Sequence, residues 1–210
     1  MSSATLKTIA KVTGFSVTTV SRALGGFDDV NEATRERIVA EAQRLGYEPN
    51  QQARALQQQR TSTIGLILPG GGMRFADPFL GEFIAGVGGA ATDAGFDILV
   101  SAPNAAQSEL AAYRRMVAGR RVDGLVLMRT RLSDPRVEYL AKRSLPFALF
   151  GRTNSAHDYL HIDVDGIAGQ SALTQHLLDI GHQQIAYITP PQNLTFTTYR
   201  HQGFEITMRQ

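Results

Sequence analysis

Cysteine is absent from the 210 residues. That excludes a disulfide framework, thiolate metal sites and a cysteine nucleophile. Proline is scarce, 8 residues against 20 glycines, and the glycines follow no Gly-X-Y repeat. Collagen-like and Pro-rich classes are therefore excluded. No apolar run reaches the roughly 18 residues a spanning helix needs. Residues 1–14 contain no uninterrupted apolar segment and no cleavage-like site, so they do not read as a signal peptide. The expected compartment is the cytoplasm, with no membrane partner. What is present, 43% hydrophobic and 19% charged residues, is ordinary globular usage and argues against disorder.

Neither sign of charge dominates, with a formal net charge of +2, but the charge is unevenly placed. Residues 1–60 hold eight basic and six acidic side chains, and residues 61–210 hold thirteen of each. Residues 1–25 contain Lys7, Lys11 and Arg22 and no acid. A small basic head on a neutral body suits an anionic partner.

The hydrophobic pattern changes near residue 60. Before it, Leu6, Ile9 and Ala10 have helical spacing behind a Thr5 cap, and Gly14 supplies a turn. Ser16 can cap a second helix with Val20, Ala23 and Leu24 inward, ended by Gly25-Gly26. A third helix from about Asn31 buries Ile38, Ala42 and Leu45. Residues 51–60 have few apolar side chains and little core of their own. After residue 60, buried-strand signals lie at 64–68, 96–100, 122–127, 146–150 and 185–188. Helical stretches at about 79–94, 107–118, 134–143 and 166–180 separate them. Strands alternating with helices predict βαβ units and a parallel sheet covered on both faces.

The segment Leu6 to Leu24 fits a helix-turn-helix, whose second helix enters the DNA major groove. Val17, Thr18, Ser21 and Arg22 share the outward face of that helix. Arginine can donate two hydrogen bonds to guanine O6 and N7, valine can meet a thymine methyl, and threonine offers a hydroxyl or a methyl. Ser16, Thr19 and Ser21 are short donors suited to phosphates. On pattern alone the same residues also fit an ordinary three-helix packing unit.

Residues 5–60 resemble the DNA-binding head of LacI-type bacterial transcriptional regulators. The likeness is carried by Thr5-Leu6, Ile9-Ala10, Gly14-Phe15-Ser16 and the run Thr19 to Leu24. It continues through Val30-Asn31, Thr34-Arg35, Ile38, Ala42, Leu45-Gly46-Tyr47, Pro49-Asn50, Ala53 and Leu56. The resemblance implies a head over 1–48 and a hinge helix over 49–60 that orders when two protomers sit on operator DNA. It adds Thr5, Asn50, Ala53 and Leu56 to the DNA-contacting residues. Leu56 matches the family's minor-groove wedge, which unstacks a central base step; the plainer reading is packing against the next domain.

Residues 61–210 are similar to the start of the family's ligand-binding core, itself similar to periplasmic sugar-binding proteins. The resemblance implies a first parallel α/β lobe over 61–161, with four strands, and the start of a second over 162–210. Asp163-Val-Asp-Gly166, His176 to His182, Ile185-Ala186, Tyr199-Arg200 and Gly203-Phe204 carry it. The family core needs further strands, so the chain is expected to hold an incomplete core, from a fragment or a truncated gene, poorly stable alone. Matching the family residue by residue places Asp77, Phe79, Arg152, His161, Asp163 and Arg200 at the ligand. Asp77 and Arg152 also lie where open α/β sheets bind ligands, at strand carboxyl ends. Carboxylates, guanidiniums and aromatic rings suit a sugar.

Enzyme motifs fail one by one. Gly70-Gly-Gly72 follows a strand, but position 75 is Phe, so the dinucleotide fingerprint is broken. Gly86-Val-Gly88 lies in a helical stretch, where it reads as close packing on a sheet. There is no P-loop, no G-x-S-x-G and no H-E-x-x-H. No cofactor or metal is expected. The resulting expectation is a homodimeric, sequence-specific DNA-binding regulator, a repressor controlled by a small effector, a sugar, and not an enzyme. The alternatives are a soluble sugar-binding protein without DNA activity and a doubly wound α/β enzyme.

Overall fold

The computed structural model describes residues 4–48, 60–70, 77–104 and 108–210. The chain divides into two units, Met1–Gln58 and Gln59–Gln210. The expected hinge helix, with Asn50, Ala53 and Leu56, lies outside the described residues apart from Arg60.

The first unit is built from α1 (Leu6–Thr13), α2 (Val17–Leu24) and α3 (Glu32–Arg44). Caps set the ends. The Thr5 hydroxyl accepts from the Thr8 amide, the Ser16 hydroxyl from the Thr19 amide, and the Asn31 side chain from the Ala33 amide. Gly14 stops α1 at φ 79°, a left-handed conformation that a Cβ disfavours. One small core joins the three helices: Ile9, Ala10, Val20, Ala23, Val30, Ile38 and Ala42, flanked by Leu6, Phe15, Leu24, Leu45 and Tyr47.

The second unit holds a five-stranded parallel sheet in the order β2-β1-β3-β4-β5. Its strands are β1 (Thr63–Ile67), β2 (Asp97–Ser101), β3 (Gly124–Leu127), β4 (Phe147–Phe150) and β5 (Leu160–Ile162). The period-2 alternation of side chains feeds two cores. Ile67, Leu125, Leu127 and Leu149 pack with α5 (Glu109–Ala118) and α6 (Pro135–Ala141) on one face. Leu66, Leu68, Val126 and Met128 meet α4 (Pro78–Asp93) on the other. At Gly65 a Cβ would stand 2.5 Å from the Met116 sulfur and 2.7 Å from Leu125 Cδ2, so only glycine fits under α5. Helices α7 (Gly166–Asp179) and α8 (Thr195–Met208) pack together, and the Ser171 hydroxyl donates to the Gly203 carbonyl at 3.1 Å. Among the described residues no helix is long and apolar enough to cross a membrane.

Two strand expectations need correction. The first sheet has five strands, not four, because Leu160–Ile162 pairs in parallel with β4. This strand is three residues long and exposed throughout, so it carries no burial signal. Residues 185–188, in contrast, form no strand. A strand exists only through its ladder, and among the described residues this segment has no sheet partner. Its Tyr187 ring instead stacks on Phe204 at 4.8 Å and on His201 at 5.9 Å.

Candidate nucleic-acid interface and ligand cleft

In the head, Ser16 caps the start of α2, and its apolar residues decide which side meets solvent. Val20 and Ala23 point into the core, so Val17, Thr18 and Arg22 emerge on the opposite face, all exposed. Ser21 and Thr19 are half-buried beside them. The hydroxyls of Thr5, Ser16 and Thr19 serve the caps: Ser16 Oγ lies 2.8 Å from Thr19 Oγ1, and Thr5 Oγ1 lies 3.0 Å from Thr8 Oγ1. The free amides of a helix N-terminus add donors and a positive dipole end where a phosphate would approach. Lys7 and Lys11 are exposed on α1.

Arg22 does not project alone. Its Nε donates to Asp29 Oδ1 at 3.0 Å, its Nη2 lies 2.6 Å from Asp29 Oδ2, and its guanidinium sits 4.8 Å from the centre of the Phe27 ring. Sequence reading overlooked Phe27 and Asp29, since an exposed loop has no periodicity to mark a partner.

In the second unit a cleft of about 590 Å³ opens at the carboxyl ends of β3 and β4. Arg129 and Thr130 follow β3, and Gly151 and Arg152 follow β4. Asp77 and Phe79 come from the start of α4, Asp163 from just beyond β5, and Phe196 and Arg200 from α8. The Thr195 amide donates to the Thr130 carbonyl at 2.9 Å, which ties the start of α8 to the end of β3.

Each charged group in the cleft has a fixed setting. Asp77 caps α4 through the Phe79 amide at 3.1 Å and accepts from Arg129 Nη2 at 2.6 Å. Arg152 Nε donates to Asp163 Oδ2 at 2.7 Å, and its guanidinium lies 4.8 Å from the Tyr199 ring centre. The Asp163 hydrogen bond raises the Arg152 pKa above its ordinary value. Arg200 lies 5.0 Å from the Phe196 ring centre and has no carboxylate within ion-pair distance among the described residues. Phe79 is tilted against Phe83 and Phe150, which meet each other edge-on, with centroids 5.4–5.7 Å apart. Two guanidinium–carboxylate pairs, one open guanidinium and flat apolar faces can hold a polyhydroxylated molecule by paired hydrogen bonds and stacking.

Five of the six expected ligand residues, Asp77, Phe79, Arg152, Asp163 and Arg200, therefore line one cleft. His161 does not. It lies on exposed β5 with its ring edge-on to Tyr159, away from the cleft lining. Arg129 and Phe196 line the cleft without having been singled out in the sequence. Arg129 follows a strand's carboxyl end, the same signal that marks Arg152, but it sits in a left-handed backbone conformation, φ 49°.

A buried guanidinium holds that conformation. Arg136 is 1% exposed, and all five of its N–H donors are used. Two reach Asp134 at 2.9 and 2.6 Å, one Glu109 at 2.6 Å, one the Met128 carbonyl at 3.2 Å and one the Arg129 carbonyl at 3.1 Å. Burial would raise the Asp134 pKa, but hydrogen bonds and charge from Arg136, with the Arg131 and Arg136 amides, hold it below the ordinary carboxylate value.

Comparison with known proteins follows the same division. Residues 5–50 match the bacterial regulatory proteins of the lacI family. Residues 61–210 match the periplasmic binding proteins and sugar binding domain of the LacI family. The chain is 38% identical over 199 residues to the HTH-type transcriptional regulator RafR of Escherichia coli, covering 95% of this chain and 59% of that one. It is 37% identical over 199 residues to the regulator AglR of Rhizobium meliloti (strain 1021), covering 94% and 56%. The chain thus spans somewhat over half the length of these relatives. The solved structure of a transcriptional regulator CelR–cellobiose complex aligns with a TM-score of 0.63 and 30% identity, over 98% of this chain and 61% of that one. The chain belongs to the LacI family of bacterial regulatory proteins.

Proposed function

We infer that the protein is a cytoplasmic, sequence-specific DNA-binding transcriptional regulator, a repressor whose DNA affinity is set by a small saccharide. The carrying observation is the capped α2 helix, which presents Val17, Thr18 and Arg22 to solvent from a three-helix unit. Such a helix reads base edges in a major groove. The wider set of DNA contacts is Thr5, Ser16, Thr19 and Ser21 from the head, with Asn50, Ala53 and Leu56 beyond it. A homodimer reads two half-sites, so the operator is roughly palindromic.

The cleft supports the second half of the reading. Its volume lies within the range typical of small-ligand sites, and its lining of Asp77, Phe79, Arg152, Asp163 and Arg200 favours hydroxyl-rich ligands. The relative solved with cellobiose favours a saccharide over an amino acid or a nucleobase. Relatives named as regulators, with no catalytic motif in this sequence, favour binding over catalysis.

Reciprocal linkage tests the combined reading. Calorimetry against a panel of disaccharides, cellobiose included, identifies a ligand. Its dissociation constant is then measured with and without a saturating operator duplex. The factor by which DNA changes saccharide affinity must equal the factor by which the saccharide changes DNA affinity. A saccharide that binds with no effect on DNA affinity would contradict effector control.

A further inference from the structure

We propose that Asp29 is a specificity-determining residue, which holds the Arg22 guanidinium end-on for a guanine in each half-site. This rests on the DNA-binding reading above. Asp29 takes the Nε and Nη2 edge of Arg22, at 3.0 and 2.6 Å. An arginine guanidinium presents its five N–H donors as two paired edges, Nε/Nη2 and Nη1/Nη2, with one N–H of Nη1 left beside Cδ. With the first edge occupied, the Nη1/Nη2 end edge remains open, and its two parallel N–H groups match guanine O6 and N7.

The loop carrying Asp29 is built to hold it there. The Phe27 amide donates to the Arg22 carbonyl at 3.1 Å, and Arg35 Nη2 donates to the Phe27 carbonyl at 2.9 Å. Val30, next to Asp29, is buried in the head core. A Cβ at Gly25 would stand 2.9 Å from the Phe27 ring, so glycine there lets the ring lie against the Arg22 guanidinium. Arg22 is thus fixed on one side by a carboxylate and on another by an aromatic face. An unrestrained arginine would lose that rotamer freedom on binding.

A carboxylate near DNA also repels phosphates, and this separates the proposal from simple electrostatics. Repulsion alone makes Asp29→Asn bind every duplex more tightly by one common factor. Preorganisation makes the same variant less selective at one base pair. The experiment uses the 210-residue chain. Fluorescence anisotropy is read on the duplex selected from a randomised pool, on its single base-pair substitutions and on a scrambled duplex.

An arginine–guanine bidentate contact discriminates by about 5- to 150-fold. Asp29→Asn is expected to lower the preference at the Arg22-dependent G·C pair at least about threefold, with other pairs unchanged and scrambled DNA bound more tightly. In an Arg22→Ala background, Asp29→Asn should leave every preference unaltered. Phe27→Leu, which keeps an apolar side chain but removes the ring face, should lower the same preference. Circular dichroism confirms that each variant is folded. An unchanged preference at that pair in Asp29→Asn, or an equal loss without Arg22, would overturn the proposal alone. A pool that yields no base pair dependent on Arg22 would overturn the DNA-reading assignment and the proposal with it.

Discussion

Replacing Arg136 with methionine keeps most of the side-chain volume and removes the buried guanidinium. Asp134 then loses two charged hydrogen bonds but keeps the Arg131 amide at 3.1 Å and the residue-136 amide at 3.0 Å. Glu109 keeps Arg131 at 2.9 Å. The Met128 and Arg129 carbonyls lose a donor each. Removing one partner of a buried ion pair typically costs about 3–5 kcal/mol, because the other charge is left uncompensated. The surviving amides place this case at the lower end, about 3 kcal/mol. For a unit of this size that lowers Tm by roughly 6–12 °C. Five of the six tyrosines lie in the second unit, so near-ultraviolet circular dichroism in a urea titration reports on it. Adding Asp134→Asn to the variant removes the stranded charge while keeping a side chain that can cap α6. The double variant should therefore regain part of the loss. A cost below about 1 kcal/mol, or no recovery in the double variant, would refute the reasoning.

Other consequences follow from the same geometry. Because the folded-state pKa of Asp134 is lowered, its stabilisation is present above the unfolded value of about 3.9 and is lost as pH falls through the folded value. Urea titrations between pH 6 and pH 2 should show a steeper acid loss in the wild-type chain than in Asp134→Asn, and equal slopes would contradict it. Gly65→Ala drives a methyl into Met116, Leu125 and Val122 and should cost about 1–3 kcal/mol by urea titration, and a neutral substitution would mean the sheet moves freely under α5. Arg200→Ala should weaken saccharide binding by about tenfold in calorimetry and leave Tm nearly unchanged, since its guanidinium has no ion-pair partner among the described residues. A lowered Tm with unaltered affinity would assign Arg200 a packing role instead.

The head was legible in the sequence because its signals are local. Caps at Thr5, Ser16 and Asn31, a turn glycine, and apolar residues at helical spacing specify three short helices and the face each buries. The first four strands were legible because each holds a short apolar run, although β2, at the sheet edge, is only partly buried. Strand β5 was not, since it is short and exposed and is defined only by its ladder to β4. Residues 185–188 have the composition of a strand but, among the described residues, no partner that would make them one. The charge pairs were hidden for a related reason. Arg129 and Asp77 are 52 residues apart, and Glu109 and Arg136 are 27 apart, so no window of sequence shows them together. Asp29 lies seven residues from Arg22 but across an irregular turn, where side-chain direction follows no period.

The exposed surface of α2 is expected to read DNA sequence. The most direct test is binding of the chain to a randomised duplex pool, with the bound fraction sequenced and affinity followed over a salt series. The expected result is a selected palindromic site containing a G·C pair in each half, lost on Arg22→Ala. Affinity should fall steeply as salt rises, since phosphate contacts release counterions. No selected sequence and no salt-sensitive binding from a folded chain would contradict it.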